Sequence, residues 1–291
     1  MINRFFTPPS SNENSQGKDF SDFVKKTHAE KISTCISKIQ NKLINIDDVI
    51  DGSGLSLIHY VAAFGDVKSL EWLIDNGANI DLKIGSDERL ESMSALHFAV
   101  QKNNIEVLKF LLEKTNTPIN VSTSDGTTPL LIAAHDQNEP LINLLIQHGE
   151  NVNCTFKKYG KSYTLLETLF IEGGPLKSIE ILLHLDATIT HEAMQSAVRS
   201  SHLEGIKLLL QYGAIFTQDL LELATDYKNE KFERVEKSKM ELDRQRDKMS
   251  EDEFIVASMD VDFDIRRLNE RKEIEVLIES ALSSANKLRP F

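Results

Sequence analysis

Apolar residues fall in paired bursts along the middle of the chain. Leu70, Leu73 and Ile74, then Val107, Leu108, Leu111 and Leu112, then Leu141, Leu144 and Leu145 each follow i, i+3, i+4 spacing, which predicts amphipathic helices. A shorter helical stretch precedes each stripe. It opens at Ser56, Ser94, Thr128 or Thr164, whose hydroxyl suits an N-cap. Small residues (Ala62, Ala99, Ala133, Ala134) within these stretches let neighbouring helices approach closely. A Gly or polar turn (Gly65, Asn103) separates the two helices. Gly77, Gly149 and Gly213 end the second one, because glycine accepts the left-handed cap conformation. Successive units start 38, 34 and 36 residues apart, and a fifth, from Glu192, follows after 28. One such hairpin cannot bury both of its faces, whereas stacked copies can. The pattern therefore predicts an all-α solenoid of helix-turn-helix repeats.

The units resemble ankyrin repeats. The first matches that pattern at Asp51, Gly54, Ser56, His59, Ala62, Gly65, Leu73, Gly77 and Ala78. The third matches at Asp125, Gly126, Thr128, Pro129, Leu130, Ala133, Ala134, Gly149, Val152 and Asn153, and the second at Ser94, Leu96, His97 and Ala99. The fourth and fifth are degenerate, with Glu167 and Gln195 where the family has His. The resemblance implies hairpin fingers between repeats, at "LKIGSDERLESM" and "CTFKKYGKSY". It also implies structural roles for His59 and His97, bonding between repeats.

The ends read differently. Residues 1–18 are rich in Pro, Ser and Asn and read as a disordered tail. Residues 19–45 read as an N-terminal cap of two helical segments, and 46–216 as five repeats. Residues 217–291 read as a split sixth repeat forming the C-terminal cap. Its first helix is "TQDLLELATDYK" and its second "ERKEIEVLIESAL". Between them, 228–253 holds 8 basic and 9 acidic residues with several i, i+4 pairs and a thin stripe of Val235, Leu242 and Met249. That segment reads as a solvated helical extension, with a partner-binding or dimerising helix as the alternative. Ser250 and Glu253 fit a capping box for a further short helix.

Charge and candidate chemistry narrow the function. A formal net charge of −12 argues against nonspecific binding to nucleic acid or anionic membrane. The two cysteines, Cys35 and Cys154, form no CxxC pair and support neither a disulfide framework nor a zinc site. No apolar run is long enough to span a bilayer, and the N-terminus lacks a secretory h-region. A cytoplasmic protein is expected, or one exported into a host cell without a classical signal peptide. No HExxH, P-loop or GxGxxG motif is present, so no cofactor and no small-molecule substrate are expected. Two alternatives compete with a binding module. Asp260, Asp262 and Asp264 sit at alternate positions, as a hard-cation site of a metal-dependent enzyme would have them, but they fail the calcium-loop pattern and otherwise read as helix-cap and turn acids. Ile2, Phe5 and Phe6 resemble the end of a sliding-clamp motif, which would make the chain a clamp or chromatin adaptor.

The resemblance implies a non-enzymatic adaptor, scaffold or inhibitor that binds another protein on its concave face and fingers. One setting it suggests is that of an effector delivered by an intracellular bacterium and acting on a host protein. The carried-over first-helix face comprises Phe64, Gln101, Lys102, His135, Asp136, Glu172, Arg199 and Ser200. The finger adds Phe156, Lys157, Lys158, Tyr159, Lys161 and Tyr163, a basic and aromatic set suited to an acidic or phosphorylated segment.

Overall fold

The computed structural model describes residues 16–50, 54–83, 93–115, 119–124, 126–158, 160–246 and 249–287. The chain divides into two units. One comprises residues 1–133 and 140–150, the other 134–139 and 151–291.

In the first unit, α1 (Gln16–Gln40) leads into α2 (Leu57–Phe64), α3 (Val67–Asp75), α4 (Ala95–Gln101) and α5 (Ile105–Lys114). The cap is one continuous helix rather than two segments, and it begins at Gln16, inside the expected tail. No Gly or Pro lies between 19 and 40 to interrupt it. Ile32 and Cys35 of α1 are buried, and α1 packs on α2. Helix α2 packs on α4 and α3 on α5, so like helices stack on like. Leu57, Val61, Leu70, Leu73, Leu96, Val107 and Leu108 are fully enclosed.

Helices α6 (Pro129–His135) and α7 (Glu139–Gln147) form the next pair, with Leu130, Ala133, Leu141, Ile142 and Leu145 buried. The second unit then holds a two-stranded finger, β1 (Thr155–Lys158) and β2 (Lys161–Thr164). It is followed by α8 (Leu165–Glu172), α9 (Leu176–His184), α10 (His191–Arg199) and α11 (Leu203–Gln211). Helix α8 packs on α10 and α9 on α11. Thr190 caps α10 by accepting from the Ala193 N–H at 3.0 Å, so the fifth helix pair opens two residues before Glu192.

The turns repeat as faithfully as the helices. Gly77, Gly149 and Gly213 follow their helices at φ +85, +97 and +84 degrees, as the left-handed cap demands. Gly65 serves differently. Its φ is −93 degrees, but a Cβ there would lie 2.8 Å from Val61, so close approach and not handedness requires glycine.

The chain ends in two long antiparallel helices, α12 (Gln218–Gln245) and α13 (Glu251–Lys287). The expected short helix after Ser250 is the first part of α13. The capping box does form: the Ser250 N–H donates to Glu253 at 2.9 Å, and the Glu253 N–H to the Ser250 hydroxyl at 3.3 Å. With no Gly or Pro from 251 to 287, nothing then stops the helix. Lys228 and Thr225 meet Glu275, Arg271 donates to the Tyr227 carbonyl, and Lys231 pairs with Asp264. From Thr225 on Glu275 to Lys231 on Asp264 the partners run in opposite directions along the two helices, which sets the antiparallel register. Helix α12 packs on α10 and α13 on α11, the places that the two helices of a following repeat would take.

Candidate functional site

The first helices of three pairs, α2, α4 and α8, open on a polar lock. In α2 the Ser56 N–H donates to His59 Nδ1 at 3.3 Å. That leaves the proton on Nε2, which donates to the Leu82 carbonyl at 2.8 Å. His97 repeats this between the Ser94 N–H (3.2 Å) and the Thr127 carbonyl (3.2 Å). Burial depresses the His59 pKa, more than its bond to Leu82 and the nearby Asp47 raise it. Glu167 stands where the family has His, yet does the same work. Its carboxylate accepts the Thr164 N–H at 3.0 Å and the Thr190 hydroxyl at 2.8 Å, joining the fourth pair to the fifth. The degenerate position is a chemical replacement with the same connectivity. Gln195, expected at the same position of the fifth pair, does not occupy it: the cap is Thr190, which puts Ala193 three residues on, and Gln195 instead meets the His191 ring at 3.1 Å.

In the first unit, the surface above these locks carries Phe64, Gln101 and Lys102, each half-buried. Phe64 is not a bare hot spot. Its ring stacks on His28 of α1 at 4.0 Å with the two planes nearly parallel, and the Lys102 ammonium lies 5.5 Å from its centroid. Tyr60 joins them: its hydroxyl bonds His28 Nδ1, and the Lys31 ammonium sits 4.3 Å over its ring. Burial, followed by Lys31 and Lys102, lowers the His28 pKa. The sequence reading missed His28 and Lys31 because α1 lies outside the repeats, and Tyr60 because its partners are on α1. The outcome is a rim where two cations top two aromatic rings.

In the second unit, His135 and Glu172 are brought together, with Nε2 to Oε2 at 2.7 Å. Asp136 and Arg199 are exposed, and Ser200 caps the end of α10. The finger pairs 156 with 163 and 158 with 161 across its antiparallel ladder. Lys161 is exposed and Tyr163 half-buried, whereas Tyr159 and the side chains of Phe156, Lys157 and Lys158 lie outside the described residues. So do Ile2, Phe5 and Phe6, and most of the expected finger before Ser94.

The aspartates of "MDVDFD" do not make a metal site, nor are they cap or turn acids. They lie inside the continuous helix α13, where alternate residues point about 200 degrees apart, so Asp262 faces away from its neighbours. Asp264 is committed to Lys231. Among the described residues no group of three or more His, Cys, Asp or Glu side chains is placed to hold a metal ion. Nor is any described helix long and apolar enough to cross a membrane.

The family model for ankyrin repeats, in three copies, matches residues 28–123 and 58–156. The human transient receptor potential cation channel subfamily A member 1 is 27% identical over 179 residues, covering 57% of this chain and 15% of that protein. The mouse ankyrin repeat and SOCS box protein 14 is 34% identical over 119 residues, 38% of this chain and 19% of that protein. A putative ankyrin repeat protein of Rickettsia felis is 28% identical over 146 residues, 50% of this chain and 35% of that protein. The chain thus spans much less than two thirds of the length of the curated relatives it matches.

Proposed function

We propose, from the premise that this chain belongs to the ankyrin-repeat family, that it is a non-enzymatic adaptor, scaffold or inhibitor whose first-helix surface holds a partner protein. Ankyrin repeats are generally protein-interaction modules. The observation that carries the finer reading is the rim of the first unit. There Lys31 and Lys102 top the Tyr60 and Phe64 rings at 4.3 and 5.5 Å beside His28. Cations on rigid aromatic platforms suit an acidic segment, because the rings hold the charges in place and lower the entropy cost of pairing. We propose that the partner presents such a segment here. The finger lysines and the surface around His135, Asp136, Glu172 and Arg199 are proposed as additional contacts. An effector setting, with the chain in the cytoplasm or exported to a host cell, is a finer proposal of the same reading. The match to the Rickettsia felis protein supports it.

The test is affinity capture from a eukaryotic lysate with wild type and Lys31→Glu/Lys102→Glu as baits. Phe64→Ala is the poorer choice, since it also removes the stack on His28 that seats α1. A protein retained by wild type and lost by the charge-reversed bait is expected. Equal retention by both refutes this placement of the site.

A further inference from the structure

We propose that the outward face of the first part of α13 is the seam of a homodimer, in which two copies of this chain meet antiparallel across Met259. Four large apolar side chains stand exposed there: Ile255 (45%), Val256 (63%), Met259 (63%) and Phe263 (52%). In a continuous helix, at about 100 degrees per residue, they fall within a sector about 100 degrees wide. This sector is not the hairpin seam. The side of α13 that meets α12 carries Asp264, paired to Lys231, followed by buried Leu268, Ile274 and Ile278. Helix α13 therefore has two apolar faces. One is consumed by α12, and the other, displaced around the axis and toward the hairpin tip, is turned to solvent. Phe232, Met240 and Val276 are exposed elsewhere on the hairpin, but among the described residues only these four lie together on one helix face, and such a cluster marks an association surface.

The charges at its ends choose the occupant. An acidic run, Glu251, Asp252 and Glu253, precedes the stripe, and Arg266 and Arg267 follow it. Two copies crossing antiparallel at Met259 would set residues 251–253 of each against 265–267 of the other. Phe263 would then face Ile255 of the partner subunit, and Met259 would meet its own copy on the twofold axis. A parallel arrangement would set acid on acid and arginine on arginine. The stripe is thus self-complementary in charge only in the antiparallel sense, which is the isologous geometry of a twofold dimer. Arg267 already leans over Phe263, with the guanidinium carbon 5.5 Å from the ring centroid, so the basic end sits at the margin of the apolar surface. From Ile255 to Phe263 the stripe rises about 12 Å, and the charged ends roughly double that length. A contact of this size fits a concentration-dependent dimer rather than an obligate one. The inference stands apart from the repeat surface and does not depend on it.

The experiment is sedimentation equilibrium on the full chain over roughly a hundredfold concentration range. The mass should climb from the 32.9 kDa of one chain toward twice that value. Met259→Asp places a carboxylate on the axis at a side chain that is already exposed, so the fold is retained, as circular dichroism would check. It should weaken association by at least about tenfold. Arg266→Glu/Arg267→Glu should weaken it as well, and adding Glu251→Lys should restore part of it. A chain that stays at 32.9 kDa throughout overturns the proposal and leaves the stripe to a helix of some other protein. So does a Met259→Asp variant that dimerises as wild type does.

Discussion

Gly205, in the first turn of α11, offers a sharp test of how the fourth and fifth helix pairs meet. A Cβ at this position would lie 2.5 Å from Phe170 Cε1 and 2.8 Å from His202 Nδ1. Phe170 is fully buried, and its ring packs edge-on against His202 at 5.6 Å. Two effects compete in Gly205→Ala. Inside a helix the change gains about 0.8–1 kcal/mol, because glycine gives up more backbone freedom on folding. Overpacking a tight core contact costs about 1–3 kcal/mol. The steric term dominates, and a net loss of up to about 2 kcal/mol is expected. Phe170→Ala alone should cost about 3–5 kcal/mol through the cavity it leaves. The informative variant carries both changes. With the Phe170 ring gone the shortest contact is removed, and what remains is the His202 ring, held by the Gly205 N–H at 3.1 Å and the Gly174 carbonyl at 3.3 Å. Gly205→Ala should then cost at least about 1 kcal/mol less than in the wild-type background. Urea unfolding of the four proteins, followed by far-UV circular dichroism, reads the cycle directly. If Gly205→Ala has the same effect in both backgrounds, to within about 0.5 kcal/mol, the two residues are uncoupled and the close-approach argument fails.

The His59 pKa is lowered from 6.5, so the neutral ring is the folded form. The unfolded chain binds this proton first as pH falls, so the contribution is fully present above about pH 6.5 and is lost below it, down to the depressed folded pKa. His28 shifts in the same direction and adds to the loss. Urea midpoints at about pH 7.5 and pH 5.5 should therefore differ more in wild type than in His59→Gln, and equal differences would remove His59 as a source. In the terminal hairpin, Lys231 is buried and its partner Asp264 largely so. Asp264→Ala strands that ammonium and should cost about 3–5 kcal/mol, whereas Lys231→Met/Asp264→Leu should unfold at an equal or higher urea concentration. A single variant no worse than the double would show that the pair is solvated.

The sequence by itself determined the elements whose signals are local. Ser56, Ser94, Thr128 and Thr164 mark helix starts and Gly77, Gly149 and Gly213 mark stops, because capping is settled within a few residues of the chain. Repetition of these units implied stacking, since no single pair can bury both faces. Tertiary structure decided whatever depends on partners distant in the chain. Nothing in the sequence near Glu167 says that its carboxylate will reach the Thr190 hydroxyl, 23 residues on. Phe64 reads as an open surface aromatic until α1 brings His28 beneath it, 36 residues away in the chain. The acids of "MDVDFD" look like a cluster on paper, yet a continuous helix turns Asp262 away and the antiparallel register gives Asp264 to Lys231. That register also separates the two apolar faces of α13. Periodicity shows that apolar residues are present, but only the position of α12 determines which of them are covered and which are left for another chain.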